Sequence, residues 1–201
     1  MKKDALCVAK ELVEILEELH KENMVMLSEL KPGEKFTTGI GNFIVLDQEN
    51  GRTKVVTEEL YRQDVEFDDN FTDYNCSEIK KIFDGEITKD FSEEFGEDNI
   101  ISEKADLVTV DGQSDYGYVE AGVRPLTFDE VRKYNDFLVD ENLPDWYWSC
   151  TSWSTKDRGY SSILVVSPRG DIFVINCNCD FGVRPVCILK SNLFVSRVKE
   201  D

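Results

Sequence analysis

The sequence predicts an α+β domain of short antiparallel strands with flanking helices, preceded by an amphipathic N-terminal helix. Three observations carry that expectation. Apolar residues follow helical spacing through residues 4–22 and again after Thr127. Short β-branched runs bounded by Gly, Asn and Pro recur through the rest of the chain. Asn-Gly and Pro-Arg-Gly turns sit between pairs of such runs. At 201 residues with 41% apolar content, the chain can build one good core and a small appendage.

Taken in order, Ala5, Ala9, Leu12, Leu16 and Leu19 form a 4-3-4-3 stripe, widened by Leu6, Val8, Val13 and Ile15. Little more than two heptads is short for a coiled coil alone, so packing on its own domain or self-association through residues 4–22 are the two readings. Leu27 to Glu34 is a connector turning at Pro32-Gly33. Asn42–Asp47 reads as a strand, Glu49-Asn50-Gly51-Arg52 as a hairpin turn and Thr53–Thr57 as the returning partner. Ile79, Ile82 and Phe83 give helical spacing near 76–83, and Phe91, Phe95, Ile100 and Ile101 suggest further short turns. Ala105–Val110 reads as a short strand and Asp111–Gly117 as a loop. Thr127 with Glu130 three residues on is a capping box that opens a helix running to about Leu138. Three strands come after it, at 163–167, 171–175 and 183–189, the first two joined by Ser167-Pro168-Arg169-Gly170. Gly-Val-Arg-Pro occurs twice, at 122–125 and 182–185, and reads as coincidence because a helix succeeds one copy and a strand the other. The expected division is 1–26 helix, 27–190 domain and 191–201 tail.

The formal charge of −18 is unevenly placed. Residues 58–106 carry 17 acidic against 5 basic side chains. Such a face does not bind a phosphate backbone, which needs Lys and Arg. It reads as a solvated surface or, less simply, as a surface that docks on a basic partner. No run approaches the roughly 18 apolar residues of a membrane span. Glutamates interrupt the N-terminal apolar residues, unlike the block of a secretory signal. The expectation is a cytoplasmic or phage-associated protein with no membrane contact. Its six cysteines (Cys7, Cys76, Cys150, Cys177, Cys179, Cys187) are then reduced thiols, and no cofactor or metal is expected. On a strand, Cys177 and Cys179 would share one face and point into the core.

Several motifs in a fixed order now point further. Leu27-Ser28-Glu29-Leu30-Lys31-Pro32-Gly33-Glu34-Lys35-Phe36 opens the run, with Ile44–Asp47, Ser77-Glu78-Ile79-Lys80-Lys81 and Leu126–Glu130 after it. The Trp146-Tyr147-Trp148 segment and Gly182-Val183-Arg184-Pro185 close it. Over roughly residues 27–190 this order resembles an uncharacterised family of gut bacteria and their phages, family 6273 of domains of unknown function. That family's fold is C-type-lectin-like, related to the variable-protein and formylglycine-generating-enzyme-like folds. The resemblance implies a ligand-binding module. The chain departs from the pattern at Ser149-Cys150-Thr151, where Arg-Ser-Pro is usual. Neither the catalytic cysteine motif of the formylglycine-generating branch nor the calcium-and-sugar motifs of animal lectins can be placed on it.

Trp146 and Trp148 share one strand face and read as core, leaving Tyr147 on the other. Trp153 to Tyr160 has no apolar period and mixes Trp, Tyr, Ser and Arg with charge, the composition of adaptable recognition loops. The candidate ligand-binding residues are therefore Tyr147, Trp153, Lys156, Asp157, Arg158 and Tyr160, with Asn176, Asn178 and Asp180 bordering the same face. Arg184 reads as structural, tying a loop through a carboxylate and backbone carbonyls. Arg169-Gly170-Asp171 is explained by its turn. With His20 the only histidine, far from the domain, a Ser-His or Cys-His pair is not available, and no phosphate-binding glycine motif is present. The expected function is a non-catalytic, protein-binding module. The alternative is an acidic phage-type inhibitor that occupies a basic groove of a nucleic-acid enzyme through residues 58–106.

Overall fold

In the computed structural model, Phe43, Ile44, Val45 and Leu46 are four consecutive buried residues. A strand alternates its side chains between two faces, so such a run requires apolar material on both sides. That is what the architecture provides. The structure describes Lys10, residues 23–159 and residues 161–198. The helix read at residues 4–22, Lys10 apart, lies outside them, as does Tyr160.

The first half contains β1 (Met24–Met26), β2 (Lys35–Thr38), β3 (Gly41–Glu49), β4 (Arg52–Thr57) and β5 (Arg62–Glu66). Next come α1 (Glu78–Ile82), α2 (Thr88–Phe95), β6 (Ile100–Ile101), β7 (Glu103–Asp106), β8 (Tyr118–Ala121) and β9 (Val123–Arg124). Helix α3 (Phe128–Leu138) precedes β10 (Tyr147–Ser152), β11 (Ser162–Val166) and β12 (Ile172–Asn176). The last strands are β13 (Asp180–Val183), β14 (Val186–Lys190) and β15 (Phe194–Arg197). An eight-stranded sheet runs β1-β15-β2-β3-β4-β14-β6, with β9 also on β14, and a five-stranded sheet runs β12-β11-β10-β13-β5. β7 and β8 form a separate ribbon. All pairs are antiparallel except β10 with β13.

The two larger sheets are joined by strands that pass from one to the other. β4 pairs with β14 and β5 with β13, so Thr57–Arg62 and Val183–Val186 cross the junction side by side. One core lies on one side of this double sheet. It gathers Phe43, Val45, Val55 and Leu189 with Trp148, Ile163 and Val165, and is covered by Phe83, Ile87 and Phe91 of the α1–α2 segment. The other side buries Ile44, Leu46, Val56 and Val186 with Tyr147 and Val166 under Val131, Tyr134 and Leu138 of α3. The i, i+3, i+7 spacing of those three residues gives α3 its single apolar stripe.

Two buried arginines hold α3, one at each end. Arg124 makes a bidentate pair with Glu130 in the first turn, at 2.6 and 2.8 Å, and reaches Glu103 at 2.9 Å. Lys54 bonds the same two carboxylates, at 2.6 and 2.8 Å, so two cations meet two anions. Glu130 also accepts from the Thr127 amide at 2.9 Å and completes the expected capping box. At the other end Arg184, fully buried, donates to the Leu138 carbonyl at 2.8 Å and to the Thr57 carbonyl at 2.7 Å. Its guanidinium carbon lies 5.4 Å from the Tyr147 ring centre. Among the described residues no carboxylate pairs with Arg184. Carbonyls, the negative end of the helix and an aromatic face take that place. Each Gly-Val-Arg-Pro copy thus sets its arginine at one end of α3.

Several sequence expectations shift in detail. The hairpin at Asn50-Gly51 forms with φ of 52° and 75°, the left-handed pair that a two-residue turn needs. The 183–189 run is two strands, because Pro185 has no N–H to donate and Arg184 turns inward. The 105–110 strand is shorter and earlier, at β7. The helix near 76–83 continues through a π turn at Phe83–Ile87 into α2, where the Thr88 hydroxyl donates to the Phe83 carbonyl at 2.6 Å. Cys177-Asn178-Cys179 forms the turn between β12 and β13 rather than a strand, leaving Cys177 buried and Cys179 half-buried. Residues 194–197 of the expected tail form β15, which pairs with both β1 and β2. The 1–26 segment ends in β1. Among the described residues, no helix is long and apolar enough to cross a membrane.

Arg184→Ala should cost about 3–5 kcal/mol in denaturant unfolding, because it orphans two buried carbonyls and empties the space under α3. At the other end, burial alone would raise the Glu130 carboxyl, but Arg124 and Lys54 outweigh it and hold the group at about 2, below its ordinary 4.5. The unfolded chain then binds that proton first. The stability Glu130 confers is complete above pH 4.5 and drains as pH falls towards 2. Acid titration of Glu130→Gln should show a slope in that window shallower by one proton's worth, about 1.4 kcal/mol per pH unit.

Candidate functional site

The loop after β10, where the sequence places its recognition residues, does not stand alone. Ser152 ends β10 with its hydroxyl bonded to the Thr72 carbonyl, and its own carbonyl accepts from the Val110 amide at 3.1 Å. The Asp111 amide donates to the Trp153 carbonyl at 3.2 Å. Three connections, 67–77, 107–117 and 153–161, therefore meet at one end of the five-stranded sheet.

Two side chains knot them. The Tyr116 hydroxyl accepts from the Lys156 amide at 2.9 Å and bonds the Thr72 hydroxyl at 2.7 Å, touching all three segments. The Asp111 carboxylate accepts from Thr109 at 2.6 Å, Ser154 at 2.7 Å and Arg158 at 3.3 Å. These hydrogen bonds, Thr109's first, hold the Asp111 carboxyl below its usual value. Below them Asp68 accepts from the Asn70 and Phe71 amides at 2.7 Å each and from Glu78 at 3.1 Å. A loop that satisfies its own polar groups this way holds its shape without a ligand.

What the knot presents outwards is aromatic. Trp153 is 37% exposed and Phe71 48%, with the Lys156 ammonium 4.4 Å above the Phe71 ring. Lys156, Asp157 and Arg158 form one exposed 3-10 turn ended by Gly159 in the left-handed conformation. Asn176 lies opposite Ser162 at the foot of this loop, Asn178 is exposed in the β12–β13 turn, and Asp180 opens β13 opposite Glu66. Tyr160 is outside the described residues. Tyr147 is placed differently from its expectation: it is fully buried, because α3 covers the face of β10 that it occupies. It is a core residue. Trp148 is also core, its indole N–H donating to the Val65 carbonyl at 2.7 Å, while half-buried Trp146 stacks between Phe173 and Phe181.

Sequence reasoning passed over Phe71, Asp111 and Tyr116. The available signal was the one that selected Trp153–Tyr160, an aromatic standing in a polar stretch without apolar period. What a linear reading lacks is their meeting across 40 to 80 residues of chain.

Elsewhere, an open cleft of about 530 Å³ beside α3 is lined by Asp47, Arg52, Lys54, Glu103, Lys133 and Tyr134. Several of its charges already have partners: exposed Lys133 lies 2.6 Å from Asp47, and the deeper Lys54 is held by Glu103 and Glu130. Near Asp180, desolvation and the carboxylates of Asp69, Asp180 and Asp68 hold the Glu66 carboxyl above its usual value. Among the described residues no group of three or more His, Cys, Asp or Glu is arranged to hold a metal ion.

Tyr116→Phe should release the Lys156 amide and the Thr72 hydroxyl at a cost of about 1 kcal/mol. Amide exchange at Lys156 should then quicken by about tenfold, read by mass spectrometry, while the melting temperature moves by only a few degrees.

Searches against protein-family models, curated proteins and solved structures each found no match to this chain.

Proposed function

We propose that the protein is a non-catalytic, protein-binding module of C-type-lectin-like fold, and that it grips its ligand with the three-loop surface around Trp153 and Phe71. One observation carries this reading. Two large aromatics stand in solvent on loops that are tied internally and anchored to a buried sheet, so little ordering entropy is spent on binding. Lys156, Asp157 and Arg158 supply charge for orientation, and Asn176, Asn178 and Asp180 extend the surface along its flank. The C-type-lectin-like assignment rests on the order of motifs over residues 27–190, whose Trp-bearing segment forms a strand of the smaller sheet.

Four of the described thiols are unsuited to nucleophilic catalysis. Burial pushes the Cys150 thiol up to about 12 and raises Cys187 and Cys177, while Asp73 raises Cys76. A nucleophilic cysteine needs the opposite shift.

A second reading, the acidic inhibitor acting through residues 58–106, is favoured by the crowding of Glu66, Asp68, Asp69 and Asp180. Salt separates the two, since exposed charge pairs are screened and aromatic contacts are not. Immobilised wild type and a Trp153→Ala/Phe71→Ala variant would be compared for partner capture from a gut-bacterial lysate at low and high salt. The loop reading expects a partner that resists salt and drops by about a hundredfold with the double variant. A partner indifferent to the double variant but eluted by salt transfers the function to the acidic face.

A further inference from the structure

The five-stranded sheet has two edges of opposite character. At one, β5 carries exposed Gln63 and Asp64, and Asp64 adopts φ of 54°, which breaks the extended backbone. Charge and irregularity of this kind block pairing with another strand. At the other, β12 reads Ile172-Phe173-Val174-Ile175-Asn176, with no charge, no proline and an unbroken register against β11. Phe173 is 43% and Val174 41% exposed.

The register shows which backbone groups of β12 are free. The Cys177 amide donates to the Ser161 carbonyl at 2.8 Å and the Ser167 amide to the Asp171 carbonyl at 2.9 Å. Those two pairs bracket β12 at hydrogen-bonded positions, so by alternation Phe173 and Ile175 also bond β11. The N–H and C=O groups of Ile172 and Val174 and the N–H of Asn176 therefore face away from the sheet, while the Asn176 carbonyl on the same side accepts from the Cys179 amide at 3.2 Å. Consistently, the carbonyl of Ser162, opposite Asn176, is turned towards β10 and accepts from the Trp153 amide. Among the described residues, β12 has no other strand neighbour.

We propose that this edge pairs with the same edge of a second copy, antiparallel about a two-fold axis at Val174. The strand is complementary to itself in that register. Val174 meets Val174 on the axis and exchanges two backbone hydrogen bonds, and on either side the Asn176 N–H of one copy donates to the Ile172 carbonyl of the other. Between them Phe173 of one copy lies against Ile175 of the other, twice by symmetry, the aromatic–β-branched pairing that stabilises sheets. A chain of net charge −18 can approach itself here because residues 172–176 carry no charge. A basic peptide strand, the other occupant to consider, would find nothing on β12 to select it. The contact falls below the roughly 1,200–2,000 Å² of a standard interface, so the dimer is a weak one, with a dissociation constant in the micromolar range. It uses β12, of which Asn176 alone borders the Trp153 surface, and stands whether or not the loops bind a partner.

Sedimentation of the full chain from about 5 to about 500 µM, bracketing that range, tests this. The wild type should shift from monomer to dimer mass. Val174→Pro removes an N–H that no intramolecular bond uses, and Val174→Lys sets two ammonium groups face to face on the axis. Both variants should stay monomeric with an unchanged circular dichroism spectrum. As a readout that needs no variant, wild-type amide exchange at Val174 and Asn176 should slow as concentration rises, while Phe173 and Ile175 stay protected throughout. A wild type that stays monomeric, a dimer that survives Val174→Pro, or a Val174 amide whose exchange ignores concentration would each overturn the proposal.

Discussion

A guanidinium bonded to carbonyls, enclosed where two sheets and a helix meet, is the constraint on which this structure depends. Arg184 spans the carbonyl of Thr57, where β4 leaves the larger sheet, and that of Leu138, where α3 ends. Remove it and the strands crossing the sheet junction lose their tie to the helix that covers them. Arg124 performs the same service at the start of α3, through Glu130 and Glu103. A buried ion pair is costly to assemble and strongly destabilising to halve. The helix position is thus specified at both ends by groups that tolerate no neighbour but the right one, and this in turn keeps the far face of β10 dry and Tyr147 in the core.

Much of this was legible in the residues. The capping box at Thr127 and Glu130, the Asn50-Gly51 hairpin and the 162–176 hairpin are local chemistry, and local chemistry is written in sequence. The α+β class rests on them. Tyr147 shows where such reading stops. Alternation put it opposite the tryptophans, correctly, but alternation cannot say what covers a face, and a helix from elsewhere in the chain does. Arg184 was legible as structural and as a donor to backbone carbonyls, whereas which carbonyls those are, and the aromatic face that stands where a carboxylate was expected, were not. The equivalence of the two Gly-Val-Arg-Pro copies was hidden for a similar reason. One copy leads into a helix and the other into a strand, and only their shared relation to α3 reveals the common role.

The loop surface illustrates how a rigid scaffold and a variable-looking segment can coexist. Trp153 and Lys156 lie in a stretch of low apolar content, but their backbone is fixed by Tyr116, Asp111 and Thr72 from two other segments. The residues that set the shape of the surface are therefore drawn largely from segments other than the one that carries Trp153. Side chains at 153, 156 and 157 can differ widely in chemistry over one backbone, provided the Tyr116 hydroxyl and the bond between Ser154 and the Asp111 carboxylate remain.

The pairing of β1 with β15 has a mechanical consequence. Met24 lies opposite Ser196 and Met26 opposite Phe194, so the start of one strand sits beside the finish of the other. Tension applied across those two points loads the hydrogen bonds one after another, as in a zipper, instead of all together in shear. The protein should yield at low force from that edge inwards, with the loops at the far sheet the last part to feel the pull.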